Sequence, residues 1–414
     1  MKDNKGFTKD FWLVVIGQII SLFGNATMRF ALPIHLLTET GSAALLGIVS
    51  GCAFIPLAIM SPVGGIIADR VNKRNIMVVL DFFTSGLTIL FLLLYGRVNL
   101  TGLVLVMMFL LYGIAGAYQP SVQASIPVLV AEDKVMPANA IVSMVSSLSS
   151  LLGPALGGMA YAAWGIIPVL GIAAGCFFFS AVMEIFIHIP FVKHPKGESM
   201  LQDIKTDIKD SIHYITKEKK ALGKWTICCS AINLVLSALI VIGLPVVVTQ
   251  TLNFSSEEAS KLYGFLEGCL AIGGLLGGVI AGIFNKKMSL NKTWRFIVVA
   301  GLLLLPMSLV LFLEAPAYLS YAVFTLAGMT IMAFASIYTI QIMSYVQITV
   351  PEEIVGKVIA WILAIATCAH PIGQFLYGML LEYLANIMYV IFLIAAVLTM
   401  LIGWYSKKIS EKLN

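Results

Sequence analysis

Among the ionisable side chains that lie in otherwise apolar stretches of this chain, five are the residues best suited to do chemistry: Arg29, Asp81, Glu184, Glu267 and His370. An ionisable group in apolar surroundings is a candidate functional residue, because its charged form is costly there. A carboxyl or imidazole group in that setting can bind and release a proton near neutral pH. Glu267, His370, Asp81 and Glu184 are therefore candidates for proton binding.

Glu267 is the leading candidate of the four. It lies in LYGFLEGCLAIGG, where desolvation suits a group that exchanges protons. His370 precedes Pro371 in the middle of an apolar stretch. It can titrate in the physiological range, or it can hydrogen-bond a carbonyl that the proline leaves free. Both interpretations of His370 stay open.

For the other two acids the spacing favours a structural role. Asp81 follows Arg74 by about two helical turns, so we expect it to join the charge network of that basic cluster. Glu184 and His188 are four residues apart, so we expect them to pair on one helix face.

An enzyme is not expected. The chain has no nucleophile with a base at a readable spacing, no paired carboxylates and no G-x-x-x-x-G-K-S/T segment. All six cysteines lie inside apolar stretches, so we expect free thiols and no metal site. We expect no catalytic residues and no cofactor.

The elements that must position these residues are membrane helices. Of the 414 residues 59% are apolar and 11% charged, whereas soluble domains carry about 25% charged residues. The sequence predicts an all-α polytopic membrane protein, and we expect the first apolar stretch to be a retained helix. Twelve stretches are long enough to cross a bilayer, near 11–37, 43–68, 76–95, 101–126, 137–163, 167–189, 225–249, 260–284, 294–313, 317–348, 355–381 and 385–405.

The distribution of lysine and arginine predicts the orientation. If the N-terminus is cytoplasmic, only Arg97 and Lys261 fall in outer loops and only Arg29 lies inside a helix. The positive-inside rule therefore places both termini in the cytoplasm, for a multi-pass protein of the plasma membrane. The net charge of +5 reflects this topology, and no nucleic-acid partner is expected.

The chain repeats itself. Residues 64–74 read GGIIADRVNKR, and residues 277–287 read GGVIAGIFNKK. SLLGPALGGMAYA, around Pro154, and CAHPIGQFLYGML, around Pro371, form a second echo at a similar offset. We expect a duplication of a six-helix unit, with bundles at 1–190 and 225–414. They are joined by a cytoplasmic linker, 191–224, that contains an amphipathic helix.

These features resemble the major facilitator superfamily. Its signature loop, G-x-x-x-D-R/K-x-G-R-R/K, matches Gly65, Asp69, Arg70, Lys73 and Arg74, with Asn72 in place of a glycine. Asparagine also accepts positive φ, so the turn should tolerate it. The resemblance implies a conformational latch, in which Asp69 contacts the start of helix 11, near TVPEEIVGK, and later releases it. The second copy has Gly282 instead of the acid.

The fifth predicted helix carries a second resemblance. Gly153, Pro154, Gly157 and Gly158 look like the signature that antiporters of the superfamily carry there. Close packing of small residues between helices 5 and 8 is the physical role that we expect. Ordinary helix contact through small residues is the alternative.

The resemblance also implies which polar residues face the substrate. Helices 1, 7 and 10 line the central cavity in this superfamily. The substrate cavity candidates are therefore Asn25 and Arg29, which share a helix face, together with Asn233 and Gln341.

Longer segments, among them IGQIISLFGNATMRFALPIHLLTETGSAALLGIV and VPEEIVGKVIAW, resemble the drug:proton antiporter branch of macrolide efflux proteins and the enterobactin exporter. This implies a monomer in the lipid bilayer that exports hydrophobic or amphipathic small molecules against protons by alternating access, and so contributes to multidrug efflux and antibiotic resistance. One alternative is a facilitator or importer of a lipid-like molecule. Another is a membrane sensor that does not transport.

Overall fold

A computed structural model describes residues 7–131, 134–189, 219–284, 292–350 and 355–411 of the chain. Side chains at several positions inside these ranges, including Asp69 and Arg70, are also outside the description. The predicted linker lies almost entirely outside it, so its amphipathic helix stays a prediction.

The described residues form twelve long helices, as the hydropathy predicts, and contain no strand. In chain order they are α1 (Lys9–Thr40), α2 (Ala43–Arg70), α3 (Lys73–Leu94), α4 (Leu100–Leu129), α5 (Val135–Trp164), α6 (Ile166–Ile185), α7 (Lys220–Thr251), α8 (Ser256–Phe284), α9 (Trp294–Phe312), α10 (Ala317–Thr349), α11 (Val355–Tyr383) and α12 (Met388–Ser410). Eleven of them are long and apolar enough to cross a membrane within the described residues, and α5 is a helix of 30 residues. The protein is therefore a multi-pass, all-α membrane protein.

Several helix ends follow from local side-chain chemistry. The hydroxyl of Thr8 accepts a hydrogen bond from the Phe11 N–H and so begins α1, and Asn99 begins α4 by accepting from the Gly102 N–H. Gly41 ends α1 with a φ of 64°, a left-handed conformation that glycine adopts without steric cost.

Asn72 plays a different part from the one expected for it. Its φ is −59°, and its side chain accepts a hydrogen bond from the Arg74 N–H to begin α3. The expectation that asparagine is tolerated here through positive φ was wrong. Asn72 is an N-cap residue, and its short carbonyl-bearing side chain satisfies an otherwise unpaired helix N–H.

The helix contacts repeat with a period of six. In the first half α1 packs on α5 and α6, and α3 packs on α4 and α6. In the second half α7 packs on α11 and α12, and α9 packs on α10 and α12. Each pair therefore has its equivalent six helices later, as a duplicated six-helix unit requires.

The contacts between residues divide the chain into two compact units. The first comprises residues 1–41, 52–195 and 255–268, and the second comprises 42–51, 196–254 and 269–414. The first turns of α2 thus group with the second unit, and the first turns of α8 group with the first. The predicted linker, 191–224, is divided between the two units at residues 195 and 196, and the predicted bundle boundaries stay a prediction.

Candidate functional site

A polar cavity of about 190 Å³ lies inside the first unit. Its wall includes Asn25 and Arg29 from α1, Asp81 from α3 and Gln119 from α4. Two of the predicted substrate residues and one of the predicted proton-binding residues therefore line the same space. In an apolar protein, a cavity with a cation, a carboxyl group and two amides is a candidate site for a polar ligand or an ion.

Arg29 is held in the cavity wall by an aromatic ring. Its guanidinium carbon lies 3.5 Å from the centre of the Tyr112 ring of α4, a cation–π contact that offsets part of the cost of burying the charge. The Nε atom of Arg29 is buried without a hydrogen-bond partner among the described residues. Arg29 can therefore still donate to a ligand that enters the cavity.

Asp81 and Glu184 have other partners than the sequence indicated. Ser21 donates a hydrogen bond to Asp81 Oδ1 over 3.0 Å, and Tyr118 donates one to Glu184 Oε1 over 2.6 Å. The expected pairing of Glu184 with His188 was wrong, because α6 ends at Ile185 and the four-residue rule fails beyond a helix end.

Arg74 of the basic cluster at the start of α3 has its hydrogen-bond partner on α6. The guanidinium of Arg74 donates to the backbone carbonyl of Ile185 at the end of α6. Its spacing from Arg74 had suggested that Asp81 joins the charge network of that cluster, but among the described side chains Asp81 accepts from Ser21 and forms no ion pair. Lys73 is the first residue of α3. Of Gly65, Asp69 and Arg70 only the helical backbone of α2 is described, so the latch stays a prediction.

Glu267 occupies a separate place in the first unit. The Tyr263 hydroxyl, one turn earlier in α8, donates to Glu267 Oε1 over 2.7 Å. The Tyr263 ring in turn stacks on Phe30 of α1, with centroids 5.2 Å apart. Glu267 thus has a hydroxyl partner and no ion pair among the described residues, and proton binding by it remains a prediction.

The glycines of α5 form a close-packed seam. A Cβ atom on Gly153 would lie 2.3 Å from the Cβ of Ala26, and one on Gly157 would lie 3.2 Å from Thr27, both on α1. A Cβ on Gly158 would lie 2.9 Å from the Cα of Gly264 on α8. At Gly153 and Gly158, α5 therefore meets α1 and α8 at distances that leave no room for a Cβ unless the neighbours shift, and Pro154 lies within this seam.

The other predicted residues lie in the second unit. Asn233 begins a π-helical segment of α7, Asn233–Ser237, and its side chain donates to the Cys229 carbonyl over 3.1 Å. His370 of α11 hydrogen-bonds the backbone of Ser237 in that segment. Gln341 of α10 is 8% exposed, and its Nε2 has no hydrogen-bond partner among the described residues.

One contact between α2 and α11 was not predicted from the sequence. The carboxylate of Glu382, near the end of α11, accepts hydrogen bonds from the Ser42 hydroxyl and, over 2.7 Å, from the Ala44 N–H. It thereby caps the first turn of α2. Serine before an apolar run was a readable cap signal, but its partner 340 residues away was not.

Close backbone contact accompanies this cap. A Cβ on Gly47 would lie 2.5 Å from the Gln374 carbonyl oxygen and 2.9 Å from the Gly378 Cα. The helices α2 and α11 therefore touch along a glycine face next to the carboxylate cap.

Twelve helices in a repeated six-helix pattern, with an ionisable cavity inside the membrane-spanning region, define a polytopic membrane protein built from a duplicated unit. The model of the major facilitator superfamily matches residues 14–373, and the chain belongs to that superfamily. Its members are transporters, not enzymes.

Two relatives and one solved structure extend this result. Macrolide efflux protein A of Streptococcus pyogenes is 23% identical over 192 residues, which are 46% of this chain and 47% of that one, so the match spans about half of the relative's length. Multidrug efflux pump Tap of Mycolicibacterium fortuitum is 22% identical over 385 residues, 89% of this chain and 88% of that one. A bacterial homologue of the human lysosomal transporter Spinster shares the fold, with a TM-score of 0.75, 14% identity and coverage of 98% of each chain. The predicted resemblance to the superfamily and to efflux proteins is confirmed.

Proposed function

We propose that this protein exports a hydrophobic or amphipathic small molecule across the plasma membrane in exchange for protons, by alternating access of its two halves. In this proposal both termini are cytoplasmic, the protein works as a monomer and 191–224 is a cytoplasmic linker. The relatives named as efflux proteins support the export direction.

The glycine seam of α5 is the observation that carries the antiport part of the proposal. Superfamily antiporters resemble this chain in that helix. Here Gly158 and Gly264 approach each other backbone to backbone, so α5 and α8 form a tight contact through small residues. In our proposal this contact limits leakage of protons and substrate between the helices.

The polar cavity supports an amphipathic substrate. Sites that enclose a drug-sized ligand measure about 300–1,000 Å³, so the cavity of about 190 Å³ can hold only one end of such a molecule. Asn25 and Arg29 supply donors for a polar group at that end, while the apolar remainder of the substrate lies outside the cavity.

Transport by purified protein in proteoliposomes tests the proposal. A macrolide and a fluorescent lipophilic cation should each accumulate against their gradient when a pH gradient is imposed, and accumulation should collapse when the gradient is dissipated. Gly158→Ala should reduce uphill transport, because its Cβ would lie 2.9 Å from the Gly264 backbone. Gly171→Ala in α6 is the matched control, since a Cβ there meets nothing within 4 Å.

Other outcomes would contradict the proposal. Downhill movement that does not respond to the pH gradient would favour a facilitator, and lipid-like substrates would then be tested in both directions. No movement of either compound by folded protein would show that drug-like export is wrong.

A further inference from the structure

Two buried carboxyl groups of the first unit, Asp81 and Glu184, lie close enough to interact electrostatically. Asp81 of α3 is 2% exposed and Glu184 of α6 is 1% exposed. The two groups interact electrostatically, although they belong to different helices. Among the described residues neither forms an ion pair. Two ionised carboxylates in this place would repel each other without the compensation that buried charges normally have.

In the part of the chain that the structure describes, the polar groups around the pair are neutral, and they include Ser180 of α6 beside Asp81. Ser21 of α1 donates to Asp81, Tyr118 of α4 donates to Glu184, and Gln18 of α1 lies beside the Tyr118 hydroxyl. The second oxygen of each carboxyl group, Asp81 Oδ2 and Glu184 Oε2, is buried without a hydrogen-bond partner in the described part of the chain. A proton on the pair removes one of the two charges and adds the missing donor.

One member of the pair reaches the substrate cavity. Asp81 lines the cavity together with Arg29, whereas Glu184 lies behind it and contacts Tyr118, which also lines the cavity. The charged and titratable groups that face this space are thus Asp81 and Tyr118, with Arg29 as the cation. Arg29 lies over the Tyr112 ring.

We propose that Asp81 and Glu184 together bind the coupling proton of this transporter, with Tyr118 as the hydrogen-bond partner of the pair at the cavity wall. When the proton leaves the pair for the cavity, one carboxylate gains a negative charge beside Arg29, so the charge of the cavity changes. The affinity of Arg29 and Asn25 for a substrate group then differs between the two protonation states of the pair. This coupling rests on the proton exchange proposed above, whereas proton binding by the pair does not.

Infrared spectroscopy of the full protein in lipid tests the proton site without any substrate. The wild type at neutral pH should show the C=O stretch of a buried, protonated carboxylic acid. Glu184→Gln and Asp81→Asn should each remove or shift that band, while Glu267→Gln should leave it in place. Absence of such a band in the wild type, or its loss in Glu267→Gln alone, would overturn the proposal.

Transport measurements test the coupling. One pH unit at zero membrane potential sustains about a tenfold accumulation for each proton exchanged. Glu184→Gln should abolish this accumulation and yet retain exchange of labelled for unlabelled substrate at equal pH. A merely structural pair would lose both activities together. The matched control is Thr399→Val in α12, which removes another buried polar group that lacks a hydrogen-bond partner among the described residues.

The two proposals fail in different ways. If the wild type shows the infrared band but moves no substrate uphill, the exchange function is wrong and the proton site stands. If the wild type accumulates substrate and Glu184→Gln does so equally, the coupling role of the pair is wrong and the exchange function stands. If accumulation by the wild type requires sodium ions at constant pH, the pair with its oxygen donors holds sodium instead, and the proton proposal is overturned.

Discussion

The contact between α2 and α11 can be tested by a single methyl group. Gly47→Ala places a Cβ 2.5 Å from the carbonyl oxygen of Gln374 and 2.9 Å from the Cα of Gly378, and both neighbours are backbone atoms. Backbone atoms cannot rotate away as the end of a flexible side chain can. The two helices must therefore move apart at this point by about 1 Å to reach an ordinary contact distance of about 3.5 Å.

The size of the effect follows from this overlap. Overpacking of a tight contact costs roughly 1–3 kcal/mol, and a change of that size shifts a two-state equilibrium by about 5- to 150-fold. Under the alternating access proposed above, the ends of α2 and α11 that meet here, predicted to be outer ends, would separate when the protein opens outward. Gly47→Ala should therefore favour the outward-open form by a factor in this range.

Hydrogen–deuterium exchange in lipid nanodiscs measures the effect directly. Peptides that cover residues 42–51 and 372–383 should exchange faster in Gly47→Ala than in the wild type. Peptides from α3, which lies in the other unit, should not change. Gly86→Ala is the matched control, because a Cβ at Gly86 of α3 meets nothing within 4 Å.

Two results would refute this reasoning. Unchanged exchange in both peptides would mean that the helices accommodate the methyl group without separating. Faster exchange throughout the protein, with a lower melting temperature, would mean that the glycine contact stabilises the fold as a whole and not one conformation of it.

Three further predictions concern single charges. Glu382→Gln weakens the carboxylate cap on α2 and should speed amide exchange in the first turn of α2 by about twofold to fivefold. Glu411 is an exposed residue that pairs with Lys407, and Glu411→Gln should leave that exchange unchanged. Arg29→Lys loses the planar cation–π contact with Tyr112, a contact that contributes roughly 0.5–2 kcal/mol. It should raise KM for a substrate with a polar end by about twofold to thirtyfold at constant kcat. An unchanged KM would exclude Arg29 from substrate binding. Asp69→Asn removes the charge of the predicted latch and should slow transport by about twofold to fivefold in proteoliposomes; an unaltered rate would count against the latch.

The fold was predictable because a membrane helix is encoded by one continuous segment of the sequence. Twenty apolar residues between polar breaks suffice to define a span, and every predicted stretch corresponds to one of the helices α1 to α12. The repeated segments also predicted equivalent helix contacts in the two halves. Local turn chemistry was less readable, since Asn72 begins α3 through a side-chain cap and not through positive φ.

Partners of the polar residues were not predictable in the same way. Spacing pointed Glu184 to His188, but the helix ended between them, and the true partner, Tyr118, lies 66 residues away on α4. Asp81 likewise meets Ser21 across 60 residues. Rules of helical spacing describe neighbours on one helix only, whereas these hydrogen bonds join different helices.

The sequence by itself thus determined the number of helices, the duplication, the superfamily and which ionisable groups lie within the membrane-spanning segments. Tertiary structure alone decided that Asp81 and Glu184 lie near enough to interact, that Asp81 shares a cavity with Arg29 and that Glu382 caps α2. The physical reason is that desolvation of a side chain is encoded by its neighbours along the chain, whereas a hydrogen bond between helices depends on how those helices rotate and pack.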